Sequence, residues 1–307
     1  MSILVVGSVA YDDLETPFGK RERVLGGAAT HFSASASFYS PVQLVGVVGN
    51  DFNEKEISFL KPRGVDLSGL QIQTNGKTFH WKGRYGFDLN EAQTLETHLN
   101  VFADFNPVLP ENFKKSSCVF LANIDPELQL RVLDQIERPR LVAMDTMNYW
   151  ITGKPDALKK ILKKVEILLI NEAETRQLTQ ERNLVKAAKK IQGLGPKVVA
   201  IKRGEYGALL FADSFVFSAP GFPLEDLKDP TGAGDSFAGG FVGYLAKHGA
   251  QMDAKHLKRA VICGSVMASF QVEDFGLDRM RNLSKKEINE RFEAFKTLSH
   301  FEENLIV

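Results

Sequence analysis

EILLINEAETRQLTQERNLVKAAKKIQGLGPKVVAIK, residues 166–202, sets two short apolar runs, EILLI at 166–170 and KVVAIK at 197–202, on either side of a helical pattern. The runs are nearly continuous in apolar residues, as strands buried on both faces are. Between them, NLVKAAKKIQGLG has helical periodicity and closes on a glycine where a C-cap is expected. Runs of the same kind recur at ILVVG (3–7), VQLVGVVG (42–49), CVFLA (118–122), LVAMD (141–145) and GALLF (207–211). Helical patterns in ATHFSASASFYS and PDALKKILKKV lie among them, and HLKRAVICGSVMASF and SKKEINERFEAFKTL make the chain helical after residue 250. Strands alternating with helices imply an α/β fold, a largely parallel central sheet flanked by helices.

Residues 78–105 break that rhythm. In TFHWKGRYGFDL, Thr78, His80, Lys82 and Arg84 alternate with Phe79, Trp81, Gly83 and Tyr85, the period of a strand with one covered face. TLETHLNVFADF repeats the alternation through Leu95, Leu99, Val101 and Phe105, with LNEAQ as the turn. An antiparallel hairpin is expected here. Its aromatic face needs a partner: a cleft that it covers as a lid, its own copy in a homodimer, or the main sheet if it is an ordinary edge hairpin.

The 307 residues suit one large domain with an appendage, and 38 basic against 38 acidic side chains leave no net charge. Nucleic acid and anionic membrane both select for a basic surplus, so a small substrate is expected instead. Cys118 and Cys263 sit in apolar runs as buried hydrophobes, and no cysteine or histidine pair has zinc-ligand spacing. The N-terminal ILVVGSVA is too short for a signal peptide and lacks its basic start, and no stretch is long enough to span a bilayer, so a cytoplasmic protein is expected. Gly76-Lys77-Thr78 imitates the end of a P-loop, but Gln71 stands where the earlier glycine belongs.

DPTGAGDSFAGGFVGYLAKHG, residues 229–249, carries the chemistry. Phe237, Phe241, Tyr244 and Leu245 form one helical stripe, yet Gly239, Gly240 and Gly243 interrupt it, so something approaches this helix closely. At its start, Thr231, Gly232, Ala233 and Gly234 can converge their N–H groups on an anion. Asp235 follows in the first turn. It either caps the helix or accepts a proton from a hydroxyl attacking a phosphoryl group held in the cradle.

DPTGAGDSFAGGF closely resembles the C-terminal signature of the ribokinase-like (PfkB) carbohydrate kinases, a family that includes nucleoside kinases. Further pieces follow in family order. GSVAYD puts Asp12 at the place of the substrate-binding aspartate, and Gly26 and Gly27 in LGGAATHF resemble the glycine pair beside the substrate. NEAE resembles the N-x-x-E element, whose Asn171 and Glu174 serve the magnesium and phosphate region. IKRGEYGALLF resembles the strand–turn–strand beside the nucleotide, with Lys202, Gly204 and Gly207 in matching positions. Two places depart from the pattern. His31 stands where many members have a sugar-binding asparagine, and DTMNYW keeps Asp145 and Asn148 of an Asp-x-Asn-x-Arg pattern without its arginine.

The resemblance implies a single kinase domain over 1–307, with a small antiparallel β lid from about 12–22 and 76–106 inserted in it. It also implies ATP and Mg2+ as cofactors, Asp235 as base, and Gly232, Ala233 and Gly234 as the cradle. Asp12, Gly26, Gly27, His31 and Asn123 are assigned to a sugar or sugar-like substrate, and Asn171, Glu174, Lys202, Gly204, Gly207 and Gly264 to the nucleotide. Glu174 would organise magnesium through water, and carbonyls near Asp229 and Thr231 would hold potassium. A nucleoside kinase and a catalytically silent ligand binder of the same fold are the rival expectations.

Overall fold

The apolar runs become the inner strands of one sheet. The computed structural model describes residues 1–300, and strands occur at β1 (Ile3–Val6), β2 (Ala10–Thr16), β3 (Gly19–Gly26), β4 (Val42–Val48), β5 (Val65–Ile72), β6 (Phe79–Tyr85) and β7 (Ala92–His98). They continue as β8 (Cys118–Leu121), β9 (Leu141–Asp145), β10 (Ile167–Asn171), β11 (Val198–Lys202), β12 (Ala208–Ala212) and β13 (Phe215–Ala219). The helices are α1 (Ala28–Ala36), α2 (Glu54–Leu60), α3 (Pro126–Leu133), α4 (Asn148–Gly153), α5 (Pro155–Leu162) and α6 (Glu172–Thr179). α7 (Leu184–Gln192), α8 (Ala233–Lys247), α9 (Ala254–Gln271), α10 (Asp278–Asn282) and α11 (Lys285–Ser299) complete the described elements.

Nine strands form the main sheet in the order β13-β12-β11-β10-β9-β8-β1-β4-β5. Every neighbouring pair from β11 to β5 is parallel, and only the β11–β12 and β12–β13 pairs at one edge are antiparallel. Successive side chains of β1 feed opposite faces. Ile3 and Val5 join a core with Phe32, Phe241 and Val266 beneath α1, α8 and α9, while Leu4 and Val6 join one with Leu158, Ile161 and Ile191 beneath α5 and α7. The strand order reverses at β1, whose next parallel strand in sequence, β4, lies on one side while β8 lies on the other. In such sheets the crevice beyond the strands' carboxyl ends at the reversal is where ligands bind.

The glycines of α8 are explained by its neighbours. A Cβ on Gly239 would lie 2.5 Å from the Phe32 carbonyl oxygen, and one on Gly240 would lie 2.5 Å from that of Cys263. One on Gly243 would lie 3.2 Å from Ala36 Cα. α8 is clasped between α1 and α9, so close packing offsets a propensity cost of about 1 kcal/mol per glycine. Both cysteines are buried and free, and burial pushes each thiol up to about 12. Among the described residues no helix is long and apolar enough to cross a membrane.

A second sheet, β3-β2-β6-β7, stands apart from the first. β2–β3 and β6–β7 are antiparallel as expected of the lid, but they are joined by a parallel β2–β6 pair. The expected second hairpin strand also ends early. After β7 the chain turns into a 3-10 helix over Asn100–Asp104, which buries Val101 and stacks Phe102 on Phe79 at 5.4 Å. Alternation through Val101 and Phe105 therefore reflected one apolar face of a tight turn. LNEAQ is the turn in outline, since β6 and β7 are joined by residues 86–91.

Candidate active site

Four acids, one asparagine and one lysine from separate segments meet beyond the carboxyl ends of the parallel strands. β9 ends on Asp145, β10 on Asn171 and β11 on Lys202, Asp12 lies on β2 just after β1, and Glu174 and Asp235 lie in the first turns of α6 and α8.

The start of α8 is shaped for an anion. Gly232 has φ +73°, a left-handed conformation that glycine adopts without strain, and a Cβ on Gly234 would lie 2.9 Å from Lys202 Nζ. Among the described residues the N–H groups of Gly232, Gly234 and Asp235 have no acceptor within the chain. Thr231 and Ala233 leave the expected donor set, because their N–H groups donate to Asp229 Oδ1 at 2.9 Å and to the Pro230 carbonyl at 3.1 Å. Unpaired amides, a helix N-terminus and an ammonium thus converge on one spot.

Asp235 accepts no helix amide among the described residues, so it does not act as a cap. Its carboxyl is hydrogen-bonded with that of Asp145, and burial pushes its pKa up to about 6 against the pull of Lys202. Asp145 is 3% exposed; burial, and then repulsion from Asp235, hold it well above the usual carboxylate range. Its Oδ1 has no hydrogen-bond partner among the described residues. Glu174 forms a capping box with Asn171, whose Oδ1 accepts from Glu174 N at 2.8 Å while Glu174 Oε2 accepts from Asn171 N at 3.0 Å. Burial raises the Glu174 pKa, opposed by Lys202.

Asp12 faces this group from the lid sheet. It is 5% exposed and makes no hydrogen bond or ion pair among the described residues. Burial, with repulsion from Asp229 and Asp235, holds its carboxyl well above the usual range. A buried carboxyl without an internal partner is costly unless a ligand supplies one. Gly26 makes room for it: a Cβ there would fall 1.9 Å from Asp12 Oδ2. Gly27, with φ +94°, caps α1 and presses on Ser8, whose carbonyl oxygen would lie 2.5 Å from a Cβ.

Other expected residues have different surroundings. His31 is 1% exposed and lies beneath the cradle, where a Cβ on Gly232 would meet its Nδ1 at 2.3 Å. It therefore underpins the anion site and does not line a substrate pocket. Burial lowers its pKa to about 4. Asn123 accepts from Trp150 Nε1 at 2.9 Å and donates to Met147 Sδ, so its side chain is spent on the DTMNYW segment. Gly264 is buried in the α8–α9 contact, where a Cβ would lie 2.8 Å from the Phe237 carbonyl oxygen, so helix packing accounts for it. Gly207 is pressed against Ala219 and Pro220, and Gly204, with φ +55°, faces Asn90 of the lid loop, whose Oδ1 a Cβ would meet at 2.1 Å.

Tyr85 was not among the expected site residues. It ends β6 with its hydroxyl accepting from Thr231 Oγ1 at 3.2 Å, beside the cradle, and burial raises its pKa. Together with Asn90 at Gly204, it brings the lid across the cleft at two points. The alternating aromatics signalled a covered face but not which segment covers it.

Known proteins share this fold. The model of the pfkB family carbohydrate kinases matches residues 3–282. A cytidine kinase of Thermococcus kodakarensis is 34% identical over 247 residues, covering 79% of this chain and 87% of that one. Among solved structures, the Methanocaldococcus jannaschii nucleoside kinase superposes with a TM-score of 0.76 at 21% identity, covering 95% of this chain and 98% of that one. Arabidopsis thaliana ribokinase, complexed with ribose and ATP, gives 0.77 at 20% identity over 95% and 98% of the two chains. At such identities the likeness speaks for the fold.

Proposed function

The chain belongs to the pfkB family of carbohydrate kinases, and from that premise we propose that it transfers the γ-phosphoryl group of ATP to a primary hydroxyl of a sugar or sugar-like molecule, with Asp235 as general base. The observation that carries this reading is the placement of Asp235 between two unlike sites. On one side the free amides of Gly232 and Gly234 stand with Lys202, suited to a phosphoryl group; on the other stands the unpartnered carboxyl of Asp12, suited to substrate hydroxyls.

Asp12 fixes the substrate by accepting from its hydroxyls. That directs the reacting hydroxyl at Asp235, whose ionised carboxylate takes the proton as the oxygen attacks phosphorus. The amides and the Lys202 ammonium hold the charge on the transferring group. Glu174 brings further negative charge, and Asp145 would bring more on losing the proton that burial and Asp235 hold on it, so a cation would be needed to balance them beside the phosphates. Mg2+ carried mainly by phosphates and water needs only one or two carboxylates from the protein. The Asp145 and Glu174 carboxylates would be the groups to hold it. When bound, Mg2+ neutralises charge on the phosphates. The lid's contacts at Thr231 and Gly204 support closure over the cleft, where it excludes water.

A nucleoside kinase is the second reading, favoured by the 34% identical relative named a cytidine kinase; the reacting hydroxyl would then belong to a nucleoside's sugar. ADP release from a panel of free sugars and nucleosides, with Mg2+ and ATP, separates the two. Turnover of nucleosides alone would reverse their order. Asp235→Asn should lose turnover by orders of magnitude with ATP binding kept, and unchanged turnover would refute the mechanism.

A further inference from the structure

The potassium site implied by the sequence would use carbonyls near Asp229 and Thr231, but in this chain those groups face a hydrogen-bond donor. Gln271, wholly buried at the end of α9, donates from Nε2 to the Thr231 carbonyl at 3.1 Å and also to the Gly276 carbonyl. Its Oε1 accepts from Ser236 Oγ at 3.3 Å, so both amide hydrogens and the oxygen are engaged.

The surrounding loop is closed in the same way. Lys228 N and Asp229 N donate to the Val272 carbonyl at 2.8 and 3.3 Å. The Asp229 carboxylate accepts from Thr231 N and Gly276 N, each at 2.9 Å. Two carbonyl dipoles that point at one spot need positive charge there, and a primary amide presents it as two N–H groups without bringing a net charge. An ion at that spot would have to expel the amide and leave it buried and unpaired. The residues present do not fit a monovalent cation.

We propose that the Gln271 amide takes the place of a monovalent cation behind the anion cradle, clamping Thr231 to the 271–276 loop, and that this chain functions without potassium. The position it fixes is two residues from Ala233 on the strand side of the cradle, so the clamp bears on the geometry of the amides that hold the phosphoryl group.

The test melts and assays the full chain, with Mg2+ present, in potassium, sodium and tetramethylammonium chloride at one ionic strength. The wild-type protein should show the same melting temperature in all three salts, and turnover equal within about twofold. Gln271→Glu replaces the donor with an acceptor, so a carboxylate would confront the two carbonyls and call for a cation. That variant should melt about 2 °C or more higher in potassium than in tetramethylammonium, and turn over about tenfold faster. A potassium-specific rise of that size in the wild type, or a folded Gln271→Glu protein indifferent to potassium, would overturn the proposal. Should the variant not fold, the wild-type melting comparison decides alone. The turnover arm rests on the kinase reading: absence of turnover with every sugar and nucleoside would count against that reading, while the melting arm would still decide the role of Gln271.

Discussion

Gly232→Ala tests whether His31 supports the anion cradle. Gly232 sits at φ +73°, where an L-residue is strained by about 1–2 kcal/mol, and the new methyl would arrive 2.3–2.5 Å from three atoms of the His31 ring. That ring is 1% exposed and packed on every side, so it cannot swing away as an exposed side chain would. Overpacking of this kind costs about 1–3 kcal/mol, bringing the total to roughly 2–5 kcal/mol. A chain of 307 residues, with an unfolding entropy of about 0.6 kcal/mol/K, should lose roughly 3–8 °C in melting temperature. Displacing the cradle amides should also lower kcat by about a hundredfold. The double variant His31→Ala/Gly232→Ala removes the ring but keeps the backbone strain. Calorimetry of the wild type, both single variants and the double should therefore give a coupling of about 1–3 kcal/mol in the direction of rescue. Single effects that add within about 0.5 kcal/mol would show that the ring does not bear on Gly232, and the account of the cradle would fail.

Acid should silence the enzyme through Asp235: kcat/KM should drop about tenfold per pH unit below about 6, and a profile flat to pH 4.5 would exclude it as the base. The same carboxyl has a folded pKa raised from an ordinary 3.8, so its protonated form stabilises the fold below that value and this contribution is lost as pH rises through about 6. Asp235→Asn, which cannot ionise, should accordingly melt above the wild type at pH 8, and scanning calorimetry should see the difference close between pH 6 and 4. Tyr85→Phe removes the hydroxyl paired with Thr231, a bond worth about 1 kcal/mol, so KM should rise about fivefold with kcat nearly unchanged. A kcat effect without a KM effect would move Tyr85 from lid closure to the chemical step.

What could be read from the sequence depended on how many faces of a segment are buried. β1, β4 and β8 to β11 lie inside the sheet and show as continuous apolar runs. β5, VDLSGLQI, is an edge strand whose burial alternates with exposure, and its polar positions hid it. β3, GKRERVLG, is exposed along most of its length and shows no apolar run, so only the resemblance pointed to it, as part of the lid from about 12–22. Asp12, Glu174 and Asp235 stood out because each lies in a short motif that resembles the family's, and the structure brings the three together. Tyr85, the Asp145–Asp235 contact and the Gln271 clamp were not legible, since each joins segments remote in sequence that only the tertiary fold brings together. Gly264 and Asn123 look like site residues in one dimension, yet α8 packs on the first and Trp150 engages the second.

The embrace of α1 by α8 also matters while the chain is being made. Every residue of α1 is buried, largely beneath a helix that begins at Ala233. Until the ribosome has delivered that helix, the nascent N-terminal region holds an uncovered apolar surface that no local partner can shield, a state prone to aggregation. The same late helix brings Asp235 to Asp12. Folding and catalytic competence thus arrive together, and a product truncated before residue 233 would be both inert and a client for chaperones.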